Sequence, residues 1–140
     1  MYFEDSSYSD LVLKKISLPY GNFYFLENVV VTEIAQGVTF TLEKARPIID
    51  AALEFYGPDK KLGYVSNRKN NYAVAPQDWL RFFKEREILG AIGLVAYTPI
   101  GFTNIILEKL FIRTKIQRFT NLDMAISWTS QQMTAARLIS

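Results

Sequence analysis

The stretch Ile88 to Thr98, ILGAIGLVAYT, constrains this chain more than any other. It is almost wholly apolar but does not alternate, so it does not fit a strand with one face in water. A run of this kind suits a strand covered on both faces, and double coverage favours a parallel sheet with helices on each side. Its apolar part, Ile88 to Tyr97, is about half the length needed to span a bilayer. It therefore reads as core.

The flanking segments extend this reading. Residues 11–18, LVLKKISL, alternate imperfectly and end at Pro19-Tyr20-Gly21-Asn22, a turn composition. NFYFLE and NVVVTEI follow, two runs rich in aromatic and β-branched residues that meet at Glu27-Asn28 and read as antiparallel strands. Thr41 suits the cap of a helix with apolar positions Leu42, Ala45, Ile48, Ile49, Ala52, Leu53 and Tyr56, stopped by Gly57-Pro58. Pro47 inside it predicts a kink or a later start. KLGYVS, residues 61–66, reads as a short buried strand. Pro76 suits the first position of a helix carrying Trp79, Phe82 and Phe83 on one face.

Thr98-Pro99 opens a third, heavily apolar helix. Gln117 to Phe119 form a brief edge strand, and Thr120 or Asn121 caps a fourth helix. The fold class is therefore α/β: one mixed sheet, antiparallel at its N-terminal strands, then strands alternating with helices, about four in all. With 140 residues the chain suits a single domain.

Composition excludes several functions. There is no cysteine and no histidine, which removes disulfides, thiolate and imidazole zinc sites, and Ser-His-Asp catalysis. Sixteen Lys and Arg are scattered among fourteen Asp and Glu, and a net charge of +2 gives nucleic-acid binding little support. The start, MYFEDSSYSD, has no basic region before an apolar core, so a cytoplasmic protein without a secretory signal or transmembrane segment is expected. Glu85 and Glu87 cannot converge on one target, and Glu27, Glu33 and Glu43 have no partner placed by the sequence. An enzyme using Asp or Glu with Arg is thus the least favoured reading, and no cofactor is implied.

Between the strand at 61–66 and Pro76 lies the polar stretch SNRKNNY. If the sheet is parallel, it leaves the carboxyl end of a strand, where open α/β sheets bind ligands. Arg68 and Lys69 suit an anion, while Asn67, Asn70 and Asn71 offer donors and acceptors. Ser66, Asn67, Arg68, Asn70, Asn71 and Tyr72 are the candidate binding residues, with Ser66 a candidate phosphoacceptor. A plain solvated turn explains the same composition.

Four segments carry a family resemblance: VVTEIAQGVTFTLEKARPII, KLGYVSNRKNNYAVAPQDW, TPIGFTNIILEKLF and QRFTNLDMAISW. Over about residues 20–130 the chain resembles the STAS-like superfamily, the fold of anti-sigma-factor antagonists and of sulfate-transporter regulatory domains. It looks closest to a small-protein branch found in Bacteroidetes. The resemblance implies a non-enzymatic regulatory module acting through protein–protein contacts, with homodimerisation among its options. In anti-sigma-factor antagonists a serine in an Asp-Ser-Ser-Gly run is phosphorylated. The comparable place here holds Val65-Ser66-Asn67-Arg68, without the acidic residue or the glycine. The alternative reading is a module that binds a small apolar or amphipathic, lipid-like ligand between the third and fourth helices and the sheet.

Overall fold

The computed structural model describes residues 1–139. Two 3-10 turns, Phe3–Asp5 and Ser9–Leu11, precede β1 (Lys14–Leu18), β2 (Gly21–Phe25), β3 (Val29–Ile34) and β4 (Thr39–Phe40). Then come α1 (Leu42–Tyr56), β5 (Leu62–Arg68), β6 (Ala73–Val74), α2 (Gln77–Glu85), β7 (Leu89–Ala96), α3 (Pro99–Lys109), β8 (Lys115–Phe119) and α4 (Leu122–Ile139). Six strands form one sheet in the order β1-β2-β3-β5-β7-β8. The first two pairings are antiparallel and the remaining three parallel, so the expected mixed α/β sheet with four helices is the observed one.

Side-chain alternation assigns each strand residue to a face. Phe23, Phe25, Val30, Ile34, Leu62, Ile92, Leu94 and Ala96 point to the side covered by α1, α2 and α3. Tyr24, Val29, Val31, Val65 and Val95 point to the other, where Leu122, Ala125 and Ile126 of α4 and Phe3 of the N-terminal segment cover them. Strand β7, lying between β5 and β8, is buried continuously from Ala91 to Ala96, the double coverage that its unbroken apolar run demands.

The helix starts follow their caps. Thr41 Oγ1 accepts from the Lys44 amide at 3.3 Å, Thr98 Oγ1 from the Gly101 amide at 3.2 Å, and Asn121 Oδ1 from the Met124 amide at 2.9 Å. Asn121 thus caps α4. Helix α1 does not start late: it begins at Leu42 and continues through Pro47, where the missing amide leaves the carbonyl of exposed Glu43 to water. Gly57, at φ 92°, ends it. Nothing in the residues marks the parallel pair β4–β6, whose two-residue strands are too short to show a period. Strand β5 is longer than expected and runs to Arg68, which takes Ser66, Asn67 and Arg68 out of the anticipated loop.

Helix α4 lies close on the sheet because β5 and β7 present glycines beneath it. A Cβ on Gly63 would strike the Thr129 methyl, and one on Gly93 would lie 2.8 Å from Thr129 Oγ1. Gly63→Ala is expected to destabilise the fold by about 1–3 kcal/mol through overpacking. Adding Thr129→Ala should recover part of the loss, and urea denaturation of both variants checks the pair.

Candidate functional site

Because β5 reaches Arg68, its alternation splits the candidate residues between two faces. Ser66 and Arg68 point toward α1–α3, and Asn67 points toward the N-terminal segment. Two separate polar clusters result, both near the carboxyl ends of the parallel strands.

The first cluster is built around an ion pair. The guanidinium of Arg68 meets the Glu108 carboxylate through both terminal nitrogens, the Nη2–Oε1 contact at 2.6 Å. Both side chains are sequestered, at 8% and 1% exposure. Arg68 Nε donates to Ser66 Oγ at 3.2 Å, Trp79 Nε1 donates to Glu108 Oε1 at 2.9 Å, and the Tyr72 ring lies 5.6 Å from the guanidinium carbon. Burial opposes the charge on Arg68. The Tyr72 oxygen and the Glu108 carboxylate outweigh that penalty, holding its pKa above the ordinary value. Arg68, which the sequence offered to an anion, is paired with Glu108 in this structure.

Ser66 is also engaged. It is 1% exposed, and its Oγ lies 2.7 Å from the Tyr72 hydroxyl. A phosphoacceptor role would require this end of β5 to open.

The second cluster joins Glu33, Asn67 and Tyr97. Glu33 Oε2 accepts from the Phe3 amide at 2.6 Å and from Asn67 Nδ2 at 2.7 Å, and Tyr97 donates to Asn67 Oδ1 at 2.8 Å. Burial raises the pKa of Glu33, against the lowering effect of the two hydrogen bonds. Asn70 is spent locally, its Nδ2 donating to the Ile34 carbonyl and its Oδ1 accepting from Tyr2. Asn71 is exposed; its amide donates to Gln36 Oε1 and its carbonyl accepts from the Gly37 amide. The Lys69 ammonium lies 5.0 Å from the Tyr97 ring. The N-terminal segment thus covers the strand ends on this face.

Beside the Arg68 cluster, between α1, α2 and the sheet, is a cavity of about 110 Å³. Phe23, Val30, Ile48, Ala52, Leu62 and Phe82 supply much of its apolar wall, and Thr32, Tyr64, Ser66, Arg68 and Tyr72 are also among its lining residues. The expected ligand space between the third and fourth helices does not exist, because α3 and α4 cover opposite faces of the sheet. The cavity's hydroxyls come in pairs: Ser66 with Tyr72 at 2.7 Å, and Thr32 with Tyr64 at 2.9 Å. Two hydroxyls in one hydrogen bond use one of their two hydrogens. Whichever partner donates, each pair retains one hydrogen without an acceptor among the described residues.

Neither a family model, nor a curated protein, nor a solved structure matches this chain. Among the described residues no group of three or more acidic side chains is placed to hold a metal ion.

Glu108, Trp79 and Glu33 were not singled out as site residues by the sequence. Glu108 did leave a signal, lying three residues after Ile105 and four before Ile112, as the one acid on the buried stripe of α3. Such a residue demands a buried cation. Its position alone does not identify Arg68 as that cation.

Two predictions follow from the clusters. Glu108→Ala leaves Arg68 buried without its counter-charge and is expected to cost about 3–5 kcal/mol. The double replacement Arg68→Met with Glu108→Leu should lie much closer to wild type, as urea midpoints will show. For Glu33, the unfolded chain ionises near the ordinary glutamate value of 4.5 while the folded chain lags behind it. Its contribution to stability therefore falls as pH rises through the raised pKa, then levels off. Glu33→Gln should remove this component, so wild type should lose stability relative to the variant as pH rises from 4.5; equal slopes would contradict it.

Proposed function

We propose that this protein is a non-enzymatic binding module for a small, mostly apolar ligand carrying an acceptor oxygen. The observation behind the reading is the apolar cavity between α1, α2 and the sheet, with one uncommitted hydroxyl hydrogen on each of two pairs. An apolar body releases water on entering such a space, and an acceptor oxygen satisfies donors that would otherwise be buried unused. At about 110 Å³ the cavity is somewhat smaller than the apolar cavity of about 150 Å³ that takes benzene, so a one-ring ligand enters with some yielding of α1 and α2. Arg68 braces the polar end while its charge is neutralised by Glu108, which favours an uncharged oxygen over a carboxylate.

A regulatory module of STAS-like type, working through protein contacts at residues 69–71, is the second reading. The exposed Lys69 and Asn71 favour it.

Acetophenone and ethylbenzene have nearly the same shape and differ by the carbonyl, so isothermal titration with both tests the first reading. Acetophenone is expected to bind more tightly by roughly 1 kcal/mol, about five-fold, for one hydrogen bond. Ala52→Leu, which fills the cavity from α1, should abolish binding of both. Absence of binding to wild type, or equal affinity for the two probes, would count against the reading.

A further inference from the structure

Helix α3 is built inside out on its free side. Ile105 and Glu108 are buried against the sheet, yet Ile100, Ile106, Leu107 and Leu110 are 65%, 59%, 48% and 68% exposed. At 100° per residue these four fall on the side away from Ile105 and Glu108, with exposed Thr103 between them. A soluble helix ordinarily puts polar residues there.

The charge around this face has one sign. From Pro99 to Arg118 the one acid is Glu108, which is buried and paired with Arg68, so the surface of the segment carries cations alone. Lys109 follows the aliphatic cluster, Arg113 leaves the end of the helix, and the Arg118 guanidinium lies 4.9 Å from the Phe102 ring of α3. Lys115 turns to the opposite side, toward Gln132 of α4. Arg113 shares a shallow cleft with Lys61, Lys84 and one acid, Glu87. Exposed aliphatics with Lys and Arg at the flank and end of the same helix match the two attractions of an anionic bilayer, whose acyl boundary takes the aliphatics and whose headgroups take the cations.

We propose that the outward face of α3 docks this protein on an anionic lipid surface. Ile106, Leu107 and Leu110 enter the headgroup region, while Lys109, Arg113 and Arg118 meet the phosphates and carboxylates. A second copy is the weaker occupant, because a two-fold pairing would set this cationic rim against itself. The face also lacks the exposed aromatics and methionines that mark protein interfaces, and it carries the lysine that they avoid. Docking is a surface event, since no helix among the described residues is long and apolar enough to cross a membrane. It is independent of the cavity reading, which involves α1 and α2.

Co-sedimentation of the full chain with phosphatidylcholine vesicles, with and without phosphatidylserine, tests the proposal. Binding is expected only with phosphatidylserine and should weaken as salt rises. Leu107→Ser with Leu110→Ser should lower partitioning at least about ten-fold. Lys109→Glu with Arg113→Glu should lower it about thirty-fold or more at low salt, at about five-fold for each basic residue removed from the surface. All four positions are exposed, and urea midpoints establish that both variants fold. The charge pair alone decides the matter if the leucine pair is destabilised. Failure of wild type to bind, or binding indifferent to both variants, overturns the proposal. So does a concentration-dependent dimer in the ultracentrifuge that the leucine variant dissolves without any vesicle binding, which would assign the face to a second copy.

Discussion

The buried pair Arg68–Glu108 ties the working end of this protein together. It joins the last residue of β5 to the last turn of α3, and Trp79 brings α2 to the same carboxylate. Two charges removed from water contribute little net stability by themselves, but separating them inside the fold is costly. The pair therefore acts as a positional constraint: β5, α2 and α3 hold the relative places that keep both charges satisfied. The Ser66–Tyr72 hydroxyls, and the polar end of the cavity with them, sit where that constraint puts them.

The two faces of the sheet meet different demands at their carboxyl ends. On the α4 face, the N-terminal segment closes the strand ends, with Glu33 and Asn67 satisfying each other and the Phe3 amide. Further along the same face, Gly63 and Gly93 let α4 approach the sheet closely. On the other face, α1 and α2 stand over the larger side chains Phe23, Val30 and Leu62, and their packing leaves space. Asp78, on α2, accepts from the Leu42 amide at the start of α1, and Arg46 of α1 pairs with Glu85 of α2. These contacts fix the spacing of the two helices above the cavity.

The sequence determined the elements and their order. The apolar run at 88–98 required a doubly covered strand, and Thr41, Thr98 and the pair Thr120-Asn121 marked helix starts, where Thr41, Thr98 and Asn121 offer oxygens to unpaired amides. These are local properties, carried by neighbours within a few residues. The site was legible only in part. The stretch 66–72 does lie at the carboxyl end of a strand, but a run of polar residues does not reveal that the strand continues through its first three members. Once it does, alternation sends Ser66 and Asn67 to opposite faces, and the six candidate residues cannot form one site.

The tertiary structure alone decided which charges are spent and which surfaces remain open. Arg68 and Glu108 are forty residues apart, and their pairing depends on how α3 crosses the sheet. The cavity likewise depends on the packing of α1 against α2, set by long-range contacts such as that of Asp78 with Leu42. The apolar character of α3 was plain in its residues. That Ile106, Leu107 and Leu110 face outward follows from the side that Ile105 and Glu108 turn to the sheet, a choice made by packing and by the need to neutralise one buried carboxylate.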